Sequence, residues 1–75
     1  MMKNKHKLDL SKDKCPMTFV KTVLELEELN PKDILEITLT DKQAYEDLPK
    51  SLLERDHKII STENNNNTYI IIVEK

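Results

Sequence analysis

The chain has no glycine and no tryptophan, and only two tyrosines and one phenylalanine in 75 residues. It has a single cysteine and three prolines. Without glycine, positions that need φ > 0 fall to Asn or Asp, the next most tolerant residues. Asn30, before Pro31, and the run Asn64-Asn65-Asn66-Asn67 stand where such positions are expected. One cysteine excludes an internal disulfide and a dithiol switch, and it suits a reducing compartment. No apolar run approaches the length of a membrane span. The basic opening Met1-Met2-Lys3-Asn4-Lys5-His6-Lys7 leads into no apolar segment, so no signal peptide is expected. These absences point to the cytoplasm and away from membranes. The net charge is −2, and Lys and Arg are scattered rather than clustered. With so few aromatics, that argues against nucleic acid as the main ligand.

What remains is enough for one small domain, which buries roughly 60% of its unfolded surface. The reading sets residues 1–4 as a tail and residues 5–75 as a single domain. Leu8 and Leu10 alternate with Lys7 and Asp9, which predicts a strand over 5–10. Residues 16–29 read as a helix with Phe19, Val20, Val23, Leu24 and Leu26 inward, stopped by Asn30-Pro31. Residues 34–39 form a second strand, with Leu35, Ile37 and Leu39 on one face. Asp41 is placed as the cap of a short turn through Tyr45, and Pro49 as the start of a second helix over roughly 49–56, burying Leu48, Leu52 and Leu53. Strands follow at 58–63 and 68–74, joined by the four asparagines as a hairpin loop. Tyr69-Ile70-Ile71-Ile72-Val73 is apolar without alternation, as for a strand covered on both faces or central in its sheet. The order β-α-β-α-β-β, with right-handed crossovers, predicts an α+β fold: a two-layer sandwich of a four-stranded mixed sheet with both helices on one face.

Cys15 is followed at once by Pro16 and then by the helical pattern. Proline suits the first position inside a helix, so Cys15 is expected at the N-cap, with the free amides of the first turn and the positive end of the dipole favouring thiolate. Free cysteines are otherwise often buried as small hydrophobes. Thr18 would stand at the third helical position, where its N–H is available to the Cys15 sulfur; an ordinary first-turn residue is the alternative. Lys12, Lys14 and Lys21 bring positive charge to the neighbourhood and Asp13 opposes them. Met17 is read either as exposed beside the cysteine, as for a transient protein contact, or as a cover for the end of the sheet. His6 and His57 lack metal-ligand spacing, and no metal or cofactor is expected. His57 marks a junction from helix to strand. Ile70 and Ile72 should point to the open face of the sheet, either as a contact patch or under Lys and Glu stems.

Leu8-Asp9-Leu10, Cys15-Pro16, Leu29-Asn30-Pro31-Lys32-Asp33, Asp47-Leu48-Pro49 and Asp56-His57-Lys58 together resemble the TusA (SirA-like) family of sulfur-carrier proteins. The resemblance runs from about residue 7 to residue 75. It implies that Cys15 carries persulfide sulfur from a donor such as a cysteine desulfurase to an acceptor protein, with Pro16, Met17, Thr18 and Lys14 in support. It also implies that the fourth strand lies beside the second. The chain departs from the family pattern at Thr18, where Cys-Pro-x-Pro has its second proline, and at Lys12, Lys32 and Asp56, where glycines are common. A monomer is expected. The competing readings are a nucleic-acid-binding module of similar fold and a regulatory interaction protein in which the cysteine is incidental.

Overall fold

The computed structural model describes residues 4–14 and 16–75. The order is β1 (Lys5–Leu10), α1 (Met17–Glu28), β2 (Ile34–Leu39), α2 (Lys42–Glu54), β3 (Lys58–Asn65) and β4 (Thr68–Glu74). The sheet runs β1-β2-β4-β3, with β1 and β2 parallel and the other pairs antiparallel. This is the expected α+β sandwich, with β4 beside β2. Asn4, expected in the tail, gives its carbonyl to the Ile34 N–H at 2.8 Å.

Alternation decides which face is the core. Leu8 and Leu10 lie opposite Ile37 and Leu39, which lie opposite Ile71 and Tyr69. Leu35, Ile37, Leu39, Ile71 and Val73 are fully buried, and Leu26, Ala44, Leu48 and Leu52 close over them from the helices. Ile70 and Ile72 point the other way, beside Thr38 and Glu36, and are half-buried. That agrees with cover from neighbouring polar stems rather than with a bare patch.

The bounds of α2 and β3 differ from the sequence reading. The second helix starts at Lys42, not near Pro49: the Asp41 carboxylate accepts the Gln43 N–H at 3.2 Å, and Ala44, Leu48 and Leu52 form its buried stripe. Leu53, expected inside, is 57% exposed. Pro49 therefore lies in the helix interior, where it cannot supply the amide that Tyr45's carbonyl would accept. β3 continues through Asn64 and Asn65, opposite Tyr69 and Thr68, so only Asn66 and Asn67 make the turn. β3 also carries a bulge at Ile60, between the Ile59 and Ser61 registers, which blunts an open edge.

Positive φ occurs at Lys32 (74°), Asp56 (67°) and Asn66 (58°), and not at Asn30. Asn30 opens a turn whose carbonyl accepts the Asp33 N–H at 3.0 Å. Pro31 and Lys32 are its central residues, and a turn with proline first needs φ > 0 at the second when it is of type II. Asp56 closes α2 in a Schellman arrangement: the His57 N–H reaches the Leu52 carbonyl at 3.0 Å and the Asp56 N–H reaches Leu53 at 3.1 Å. Lys32 and Asp56 are two of the positions where the resemblance expects glycine.

Candidate functional site

The chain leaves β1 at the buried Leu10 and must turn at the carboxyl ends of β1 and β2 to enter α1. Local hydrogen bonds shape that turn. The Ser11 N–H donates to the Asp9 carboxylate at 2.9 Å and the Asp13 N–H to the Leu10 carbonyl at 3.0 Å. The Thr40 hydroxyl donates to the Ser11 carbonyl at 2.6 Å and ties the turn to the end of β2. The Ser11 amide, with the Ser11 hydroxyl and the Lys12 charge, holds the Asp9 carboxyl below its ordinary value. Lys21, one turn into α1, reaches back to Asp13 at 2.8 Å. Its charge is thus shared with that carboxylate rather than left for a sulfur. Lys12 and Lys14 are exposed.

The helix then starts on Lys14. Its carbonyl accepts the Met17 N–H at 2.8 Å and the Thr18 N–H at 3.3 Å, and the Pro16 carbonyl accepts Val20 at 3.1 Å. Pro16 is the N-cap (φ −92°, ψ 0°) and makes no side-chain cap. Pro16, read from the sequence as the first helical residue, is the half-helical position. The Thr18 N–H donates to the Lys14 carbonyl, where the opening turn closes. Thr18 itself is 1% exposed, whereas Pro16 is exposed and Met17 is 46% exposed, as in the first of the two readings of Met17. Cys15, on which the sequence reading centres, lies between Lys14 and Pro16 and outside the described residues.

Beside Pro16 a cleft of about 330 Å³ opens between the helices. Pro16, Thr18, Phe19, Ala44 and Leu48 supply its apolar wall, and Asp47, Lys50 and Ser51 its polar rim. Of the α2 residues that line it, Leu48 is expected inward from the sequence, whereas Ala44 lies outside the helix predicted over roughly 49–56. Asp41 as a cap, with Ala44, Leu48 and Leu52 four apart, is the signal that locates them.

The two histidines stand elsewhere. His6 meets the Asp33 carboxylate at 3.3 Å, and the Asn30 N–H donates to the same carboxylate at 3.0 Å. The Asn30 amide, aided by His6 and by the Asn4 amide, holds Asp33 below the usual carboxylate range against the effect of burial. His57 follows α2, at the junction to β3, in a cleft of about 420 Å³ shared with Glu27, Glu54, Arg55 and Lys75. Burial, then Arg55 and Lys75, push its imidazole below the ordinary value. Among the described residues, no three His, Cys, Asp or Glu side chains stand together as a metal cluster, and no helix is long and apolar enough to cross a membrane.

Two curated relatives are similar to the chain. A candidate sulfur carrier protein of Archaeoglobus fulgidus is 36% identical over 56 residues, which cover 75% of this chain and 64% of that protein. The chain therefore matches somewhat less than two thirds of that relative's length. A candidate sulfur carrier protein of Methanocaldococcus jannaschii is 30% identical over 69 residues, 92% of each chain. The family model described as sulfurtransferase TusA matches residues 6–75, nearly all of the sandwich and the whole turn from β1 to α1. The chain belongs to the TusA sulfurtransferase family.

Proposed function

We propose that this protein is a sulfur carrier that accepts and relays persulfide sulfur on Cys15. The observation that carries the reading is the family match, which spans the Cys15-Pro16 dipeptide together with the β1–α1 turn that contains it. The Cys15 thiolate attacks the outer sulfur of a donor persulfide. The donor S–S bond breaks, its thiolate leaves with the electron pair, and a new S–S bond forms on Cys15. An acceptor thiolate then takes the same outer sulfur from Cys15 by the same exchange. No external oxidant or reductant enters either step.

Such chemistry needs a thiolate, an open approach and a docking surface, and no dedicated general base. The surroundings are consistent with that short requirement. Both histidines are engaged at other points of the fold, and the cations nearest in sequence, Lys12 and Lys14, are exposed. The donor is read as a cysteine desulfurase or a protein of like chemistry, and the acceptor as a second protein thiol. Incubation with a desulfurase and cysteine, or with inorganic polysulfide, is expected to add one sulfur to the intact mass, and Cys15→Ala is expected to abolish the gain. A wild-type chain that gains no sulfur from either source refutes the reading.

A further inference from the structure

Helix α1 is turned in a way that its own stability does not favour. It buries Thr18 and Thr22, at 1% and 0% exposure, together with Leu26. It leaves Met17, Val20 and Leu24 at 46%, 41% and 57% exposure. Val20 and Leu24, expected inward from the sequence, face solvent instead. The three exposed side chains fall at i, i+3 and i+7, so they form one ridge along the helix. Beside the ridge a hollow of about 240 Å³ is lined by Leu8, Lys21, Leu24, Glu25 and Glu28.

The charges along this face are also arranged against the helix. Lys14 stands at its start, where Lys21 is paired with Asp13, and Glu25 and Glu28, which line the hollow beside Leu24, stand at its end, with no basic residue in the last turn. Carboxylates at a helix C-terminus oppose the macrodipole. Lys75, from beyond β4, must come in to hold the Glu27 and Leu29 carbonyls, at 3.2 and 2.6 Å. An apolar ridge with a cationic end near position 15 and an anionic far end is a polarised contact surface. It is also small. Three side chains fall well short of the roughly 800 Å² per partner of a stable interface, which suits a contact made and released rather than a permanent dimer.

We propose that this ridge is the docking surface for the protein that exchanges sulfur with Cys15, and that the partner offers an apolar groove whose end distal to Cys15 is cationic. The proposal rests on the sulfur-carrier reading above, and its occupant is chosen by charge complementarity with Glu25 and Glu28, which flank Leu24.

Two synthetic peptides test it, one with an apolar centre followed by arginines and one with the same centre followed by glutamates. They are titrated into the full chain while its amide resonances are recorded. The arginine peptide is expected to shift residues 17–28 saturably, to weaken with added salt, and to bind at least tenfold less tightly to Leu24→Glu. The double variant Glu25→Lys, Glu28→Lys is expected to prefer the glutamate peptide. Equal binding of both peptides to wild type, shifts confined to another surface, or no saturable shift overturns the proposal. Concentration-dependent self-association that Leu24→Glu abolishes overturns it in favour of a second copy of this chain. Cys15 loading from polysulfide is measured on the same samples. Loading without ridge binding sinks the docking surface alone, and failure of wild type to load sinks the carrier reading and with it the sulfur-exchanging partner.

Discussion

Helix α2 starts on the Asp41 carboxylate, ends in a Schellman closure at Asp56, and faces the sheet with Ala44, Leu48 and Leu52. Helix α1 starts on an exposed proline without a side-chain cap, carries its acids at the wrong end, and buries two threonines along with Leu26. The contrast separates a helix placed by its own sequence from one placed by what surrounds it. α2 even accommodates Pro49, whose cost in a helix interior is about 3 kcal/mol, because both of its ends are closed and one face is fully buried. α1 is held by its flanks: the 11–14 turn at one end, Lys75 at the other, and Arg55 lying 5.6 Å over the Phe19 ring.

The sharpest way to break this contrast is to truncate one apolar residue on each helix. Leu52→Ala removes a fully buried side chain and is expected to cost about 2–5 kcal/mol in denaturant unfolding. Leu24→Ala is expected to stay within about 0.5 kcal/mol of wild type. Similar losses at both sites would show that α1 is placed by its ridge after all. The threonines give the next test. Thr18 and Thr22 are fully buried, and the Thr22 hydroxyl has its acceptor in the Thr18 carbonyl at 2.7 Å. Thr22→Leu is expected to overpack the layer and cost about 1–3 kcal/mol, despite its better helix propensity. A more stable Thr22→Leu protein would mean that the threonines leave room unused.

Smaller effects probe the closures. Asp41→Ala is expected to cost about 1 kcal/mol, where no substitution at Pro16 removes a side-chain cap. Lys32→Gly and Asp56→Gly each relieve a left-handed backbone, at the expense of a freer unfolded chain. Each is expected to raise stability by about 0.5 kcal/mol in thermal unfolding. A loss at either site would mean that its side chain contributes more than its backbone strain costs.

Two pH-dependent steps complete the comparison. His57 is depressed in the folded state, so the unfolded chain binds more protons just below 6.5; stability is full above that pH and falls as pH drops through the folded value. Asp33 and Asp9 are depressed as well. Their contribution is full above 3.8 and is lost as pH falls through their folded values. Unfolding free energy followed from pH 8 to pH 2 is expected to decline in two stages. His57→Gln should flatten the upper stage and Asp33→Asn the lower, and a single stage unchanged by His57→Gln would contradict the first assignment.

The strands were legible because alternation along Leu8-Asp9-Leu10 and Leu35-Glu36-Ile37-Thr38-Leu39 reports one buried face directly. The unbroken apolar run of β4 fitted a strand covered on both faces or central in its sheet, and the strand order makes it central. The landmarks around Cys15-Pro16 were legible as a family pattern, and the match over residues 6–75 agrees with it. The misread elements have specific causes. Pro49 resembles a helix start, and its local preference outweighed the cap at Asp41 in the reading. Asn64 and Asn65 have turn-forming side chains but sit in a ladder that Tyr69 and Thr68 complete. The cleft between the helices is formed by residues far apart in the chain, such as Thr18 and Ala44, 26 positions apart, which periodicity does not bring together.

Residue order alone determined the succession of strands and helices, the choice of sheet face, and the chemistry offered by one cysteine next to one proline, because these depend on neighbours a few positions apart. Only the tertiary structure decided how α1 is rotated, which residues took φ > 0, and which ends of the sandwich hold the histidines. Those outcomes depend on how closely a helix approaches the sheet and on bonds such as Thr40 to Ser11 and Lys75 to Leu29, which join segments 29 and 46 residues apart. Periodicity along the chain carries no information about either.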